Sequence, residues 1–203
     1  MNISRLDIIF FAVLVPSVIL HEISHGWVAL MFGDDTAKRA GRLTLNPLAH
    51  IDPFGTIILP ALLILTTGRA FGYAKPVPVN PRQLRHPRNE GLLVSLAGPA
   101  VNIVLAVAAA SGLHSVHRAG TVRDVIFELG IGNVFLAAFN LIPIPPLDGS
   151  AVVERLLPRS AWPGYLRLRQ YAMPVLLIVV LFGGAVVLDK VFRPAFWLWS
   201  RVL

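Results

Sequence analysis

The sequence predicts an all-α polytopic membrane protein with about four to six transmembrane helices. Three observations carry that reading. Of 203 residues, 55% are hydrophobic and 14% charged, where an ordinary soluble domain holds about 25% charged. Mean hydropathy is +0.68. Apolar runs near spanning length recur between arginine-rich loops. The same composition excludes a disordered tail, and the length fits one domain over residues 1–203. A net charge of +7 and a pI near 10.8 would indicate nucleic acid in a soluble protein. In so apolar a chain they indicate basic loops against anionic lipid, so the bilayer is the expected partner and nucleic acid is not. Cysteine is absent. That excludes disulfides, thiolate nucleophiles, iron–sulfur clusters and Cys-ligated zinc, and any metal must be held by nitrogen and oxygen.

The elements follow in chain order. Residues 6–32 are long enough to span, uncharged from 8 to 20, then interrupted by His21, Glu22 and His25. The run lacks a polybasic start and a small-residue cleavage site, so it is expected to stay in the mature protein. Residues 55–67 are apolar but only about 13 long, with Pro60 in the middle. A re-entrant or interfacial segment is expected there. Residues 91–112 form a clean second span. Residues 125–143 form a third, with Glu128 near the start and Asn133 and Asn140 inside. Residues 171–188 form a fourth, with Pro174 in the first turn. From 191 onward, Phe192, Phe196, Trp197 and Trp199 mix with Arg193 and Arg201, a pattern suited to the headgroup region. Residues 171–203 thus read as a C-terminal span and interfacial tail. No internal repeat or low-complexity tract interrupts the chain.

Loop charge sets the orientation. Residues 68–90 carry Arg69, Lys75, Arg82, Arg85 and Arg88 against Glu90, and residues 149–170 carry Arg155, Arg159, Arg167 and Arg169 against Glu154. Residues 113–124 carry only Arg118 and Arg123 as cations. The positive-inside rule places both basic loops in the cytosol. The 91–112 span then runs outward, the 125–143 span returns, and Asp148 lands at the cytosolic end. A multi-pass protein of the cell membrane is expected.

His21-Glu22-Ile23-Ser24-His25 reads H-E-x-x-H. At 100° per residue, a four-residue step brings two imidazoles within about 40° of each other on one helix face. One nitrogen from each can bind the same metal. Glu22 points about 100° away, which suits a general base beside a metal and not a ligand. A lone histidine in a span is usually a hydrogen-bonded packing residue. Two histidines and a glutamate in one turn are different, because each ionisable group in lipid is costly. Catalytic zinc takes three protein ligands and leaves one position open. Without cysteine, the third must be His, Asp or Glu, and Asp148 is the candidate. Pro143, Pro145 and Pro146 break a helix just before it, and Gly149 allows a tight turn just after. Asp148 also suits an N-cap of the following helix. A two-histidine half-site lacking a carboxylate favours the ligand role. His/His/Asp ligation favours Zn2+, although imidazole also suits iron, copper and nickel.

Three motifs carry a resemblance. His21-Glu22-x-x-His25 lies in one span, and Asn140-x-x-Pro143-x-x-Pro146-Leu147-Asp148-Gly149 ends a later one. Ala97-Gly98-Pro99-Ala100-x-Asn102 lies between them. Together they resemble the site-2 protease family, intramembrane zinc metalloproteases of the M50 type, over residues 7–150. The resemblance implies a three-helix metalloprotease core and cleavage of a peptide bond within or beside a transmembrane helix of a protein substrate. It implies zinc held by His21, His25 and Asp148, with Glu22 as the catalytic residue, and the setting of regulated intramembrane proteolysis. The chain resembles a compact form without a PDZ or cystathionine-synthase-type domain, and residues 41–56 are typical of compact bacterial members. The family places zinc near the cytosolic face with its His-bearing and Asp-bearing helices both running inward. A single crossing by residues 55–67 would set those helices in opposite directions.

Other residues carry lesser expectations. Asn140 is a candidate substrate-binding residue, since an unwound substrate needs polar partners, and a helix-packing hydrogen bond is its alternative. Asn102 reads as interhelical glue. Residues 71–81 alternate Val and Pro and must be extended, either beside a substrate strand or as a stiff connector. His50 and Asp52 are candidates to support the site's ligands or to gate it, with an Asx turn before Pro53 as the plain reading of Asp52. His86, His114 and His117 read as solvated. A membrane metal-binding or transport protein and an inactive homologue that binds a transmembrane partner are the competing functions. The sequence leaves oligomeric state open.

Overall fold

The computed structural model describes residues 4–67, 72–116, 119–179 and 184–202, and every regular element among them is helical. Helix α1, Arg5–Met31, starts from a capping box. The Ser4 hydroxyl accepts from the Asp7 amide, and the Asp7 carboxylate accepts from the Ser4 amide at 2.8 Å. The helix ends at Phe32 before Gly33, whose φ of 103° only glycine adopts without strain. After the short α2, Thr36–Arg39, a 3-10 turn, Pro47–His50, and a π-helical turn, Pro53–Ile58, comes α3, Leu59–Thr67. Helix α4, Pro87–Ser115, opens on a proline, whose missing N–H is harmless in a first turn. Helix α5 is Thr121–Asn140. The remaining helices are α6, Ser150–Leu156; α7, Trp162–Arg169; α8, Ala172–Ile178; and α9, Gly184–Ser200.

Helices α1, α4 and α5 pack against one another, and side-chain pairs fix their directions. Arg5 at the start of α1 bonds Thr121 and Asp124 at the start of α5, both at 2.9 Å, so α1 and α5 run parallel. Near the end of α1, Ala29 packs on Leu84 and Val94 before and within the first turns of α4, so α4 runs antiparallel. The chain between them therefore leaves and returns at the same end. Residues 55–67 cannot make a single net crossing, and the His-bearing and Asp-bearing helices share a direction.

Helices α1 and α4 are the two among the described residues long and apolar enough to cross a bilayer unaided. The expected span at 125–143 is α5, which ends at Asn140, ahead of the prolines. The expected span at 171–188 is helical where described, but residues 180–183 lie outside the described set. The aromatic tail divides by helix face. In α9, Phe192 and Trp199 are buried, Phe192 stacks on Phe135 at 4.5 Å, and the Trp199 indole donates to Ala106 O at 3.0 Å. Gly130 of α5 makes room, since a Cβ there would lie 2.2 Å from the Trp199 ring. Trp197 faces outward beneath Arg201 at 4.8 Å.

Asp34 closes the loop end of the bundle. Its carboxylate accepts from the Thr36 amide at 3.0 Å and the Asn80 amide at 2.6 Å. Burial pushes the carboxyl up, but hydrogen bonds from Thr36 and Asn80 and the charge of Arg39 outweigh that and hold it below the usual 3.8. A depressed native pKa contributes stability above the unfolded value, and that contribution disappears as pH falls through the folded one. Thermal unfolding in detergent is therefore expected to show an acid loss of stability, beginning near pH 3.8, that is smaller in Asp34→Asn.

Candidate metal centre

One face of α1 carries both histidines inward. Their rings meet edge-on at 86°, centroids 4.8 Å apart, and both are buried. The turn after α5 brings Asp148 to them. Its Oδ2 lies 3.0 Å from His21 Nε2 and 3.5 Å from His25 Nε2, and the three ligand atoms sit within 4.8 Å of one another. The turn is held by the Gly149 amide, which donates to Asn140 O at 2.6 Å. A Cβ at Gly149 would lie 2.2 Å from Leu141 O and 2.7 Å from Ile142 O, so the fold-back admits only glycine. Asp148 does not cap α6. Gly149 occupies that cap position, and no side-chain hydrogen bond is made there.

The far nitrogens of the rings decide their chemistry. His25 Nδ1 contacts Val94 O at 2.7 Å. A carbonyl only accepts, so Nδ1 carries a proton, and in the neutral imidazole Nε2 presents a lone pair. His21 Nδ1 contacts Asn102 Oδ1 at 2.5 Å, and a buried relay fixes that amide. Asn133 Nδ2 donates to the Leu129 carbonyl at 2.8 Å and to Ser17 Oγ at 2.9 Å, and Ser17 donates to Val13 O at 2.8 Å. The oxygen of Asn133 thus faces Asn102 and accepts from its Nδ2 at 2.8 Å. That leaves the oxygen of Asn102 for His21, which must donate from Nδ1. Ser17, Asn102 and Asn133 are each at most 2% exposed.

With both imidazoles neutral, three acceptors converge on one point with no hydrogen between them, and the buried Asp148 Oδ2 is left without a hydrogen-bond donor. A cation answers that arrangement, with the far nitrogens of the histidines fixed by partners as metal-bound imidazoles require. Gly98 of α4 leaves the space. A Cβ there would lie 2.5 Å from His21 Cε1 and 2.6 Å from both Nε2 atoms. Glu22, half-buried on the neighbouring face, stands outside the ligand cluster and accepts from the Val77 amide at 2.9 Å.

The profile of Peptidase family M50 matches residues 9–116 and 111–183. The chain belongs to that family. The Bacillus subtilis (strain 168) protein YwhC, a candidate zinc metalloprotease by name, is 43% identical over 175 residues, 82% of this chain and 77% of its own. Rip2 of Mycolicibacterium smegmatis, also a candidate zinc metalloprotease by name, is 38% identical over 146 residues, 68% of this chain and 53% of its own. Zinc metalloprotease MJ0392 of Methanocaldococcus jannaschii is 25% identical over 189 residues, 90% of this chain and 45% of its own. The chain spans about half the length of the latter two. No solved structure matches it. With two helices of spanning length, this M50 peptidase is a membrane protein.

The remaining expected residues of the M50 peptidase fall in several places. Asn140 turns its amide nitrogen back to Leu136 O at 3.0 Å, while its backbone carbonyl anchors Gly149 beside Asp148. Asp52 accepts from the Gly55 amide at 2.7 Å, the local turn read as its plain role. His50 is buried, with Nε2 on Thr44 O at 2.9 Å. His86 precedes α4, His114 contacts Val202 O at 3.0 Å, and His117 lies outside the described residues. Sequence reasoning passed over Gly98 as a ring cradle, Asn133 and Ser17 as relay members, and the Val77 amide as a partner of Glu22. Their signal was weak: one glycine in a small-residue run and polar residues in separate spans.

Proposed function

We propose that this M50 peptidase is an intramembrane zinc metalloendopeptidase of the cell membrane, cutting peptide bonds in or near transmembrane segments of membrane-protein substrates. The observation that carries the reading is the convergence of His21 Nε2, His25 Nε2 and Asp148 Oδ2 in a buried position, with Glu22 in the same helical turn. The site lies about 9–15 Å along α1 from Met31, inside a helix of spanning length. Arginines in the 82–88 loop, at the same end as the Asp148 turn, support a cytosolic-side opening.

His21, His25 and Asp148 would hold zinc, which when bound polarises the scissile carbonyl and acidifies the attacking water. Glu22 takes the proton from that water and passes it to the leaving amine. A transmembrane substrate first unwinds, because helical peptide bonds are shielded by their own turns and freed backbone groups need partners in lipid. In this reading, the part of the Asn140 amide not engaged by Leu136 meets the unwound strand. Regulated intramembrane proteolysis is the corresponding setting.

The test is Glu22→Gln, reconstituted with a transmembrane substrate and assayed for zinc content. Full zinc with cleavage lowered on the order of 100-fold or more supports the reading. Unchanged cleavage overturns the role of Glu22. Zinc flux without cleavage by the unaltered protein identifies a transporter.

A further inference from the structure

We infer that the backbone amide of Val77 is a positioning group for Glu22, delivered by a strap over residues 73–79, an inference that rests on the peptidase reading above. The strap is extended, so odd and even residues turn their backbone polar groups to opposite edges. The odd edge faces the protein. Tyr73 donates to Gly55 O at 3.0 Å and accepts from the Thr56 hydroxyl at 3.0 Å. Lys75 donates to His50 O at 2.9 Å and accepts from Arg42 Nη2 at 2.6 Å. Val77 continues this edge, and its N–H meets Glu22 Oε2 at 2.9 Å. One residue past the strap, the Asn80 amide is fixed on Asp34. Because Pro76 and Pro78 have no N–H, Val77 supplies the single backbone donor of this tripeptide.

A second observation fixes the register. The Val77 side chain is buried and fills a notch on α1 left by Gly26, one helical turn beyond Glu22. A Cβ at Gly26 would lie 2.9 Å from Val77 Cγ1, 2.6 Å from Leu43 Cδ2 and 3.0 Å from Ala37 Cβ. Side chain and amide thus dock on the same stripe of α1, the valine seated at Gly26 and the donor aimed at Glu22. A glutamate has three rotatable side-chain bonds and is half-buried here. Holding Oε2 orients the carboxylate and leaves Oε1 for proton transfer. The even edge, with prolines at 76 and 78, offers acceptors without donors there and makes a poor partner for a full β-ladder.

The test deletes the donor alone. An ester bond in place of the amide at Val77, installed as the valine α-hydroxy acid, removes the N–H with little change of shape. Val77→Pro removes it genetically. The ester and Val77→Pro are expected to lower kcat on the order of 10-fold or more with zinc content and KM unchanged. A second readout needs no cleavage. In 15N-valine protein, exchange of the Val77 amide proton is expected to accelerate at least about tenfold in Glu22→Ala. The inference is overturned by a normal kcat in a folded ester variant, by a change confined to KM, or by Val77 exchange indifferent to Glu22. A wild-type protein that holds zinc but cleaves nothing sinks the peptidase reading instead, and the exchange experiment still decides the Val77–Glu22 contact.

Discussion

Gly98→Ala is expected to weaken metal binding while leaving the helix bundle assembled. The substitution is mild for α4 itself, since alanine favours a helix interior over glycine by about 1 kcal/mol. Its cost falls on the candidate ligands His21 and His25. The new methyl would sit 2.5–2.6 Å from atoms of both imidazoles, well inside contact distance. Exposed side chains escape such a clash by changing rotamer, but these rings are tethered at their far nitrogens, to Asn102 and to Val94 O. Overpacking of this kind costs about 1–3 kcal/mol, equivalent to roughly a 5- to 150-fold loss of zinc affinity. Chelator competition measures the affinity, and thermal unfolding of the metal-free protein checks the bundle. Wild-type affinity in Gly98→Ala would contradict the cradle geometry.

The second large effect is expected at Asn102. Asn102→Leu leaves the His21 Nδ1–H and the Asn133 oxygen buried without partners. Unsatisfied buried groups cost about 1–3 kcal/mol each, and loss of an imidazole's outer partner lowers metal affinity about 10- to 100-fold. Both changes should appear together, in chemical denaturation and in chelator competition. Asn133→Leu is expected to weaken zinc binding as well, although Asn133 touches no ligand, because it fixes which way the Asn102 amide points. The double variant should cost less than the sum of the singles, since the two residues act as one network. Strict additivity would mean that Asn133 packs helices and does nothing for His21.

The parts of the site confined to one helical turn were legible in the sequence. The spacing of His21 and His25 fixes a shared face, and the prolines before Asp148 mark an irregular turn suited to a ligand. The relay was not legible, because its hydrogen bonds join residues 31, 81 and 116 positions apart. Asn102 was read as interhelical glue, which its bond to Asn133 satisfies, but the same side chain also addresses His21. Two alternatives existed for residues 71–81, and the extended form was forced by proline. Which edge of the strap faced the site depended on Gly26 and Val77 meeting across the fold. The fold class was written in composition, whereas the ends of the elements were less so. Proline marked the end of α5 only to within a few residues, and burial of Trp199 depended on a glycine in another helix.

The parallel run of α1 and α5 also orders the protein's own birth. A ribosome makes His21, Glu22 and His25 early and Asp148 only after α5 is complete. At ordinary elongation rates the interval is on the order of ten seconds. During it the nascent chain carries the two candidate histidine ligands and Glu22 without the carboxylate of Asp148, and Asn102 is made before the Asn133 that orients it. On the proposed reading, hydrolytic competence therefore arrives only with the last core helix.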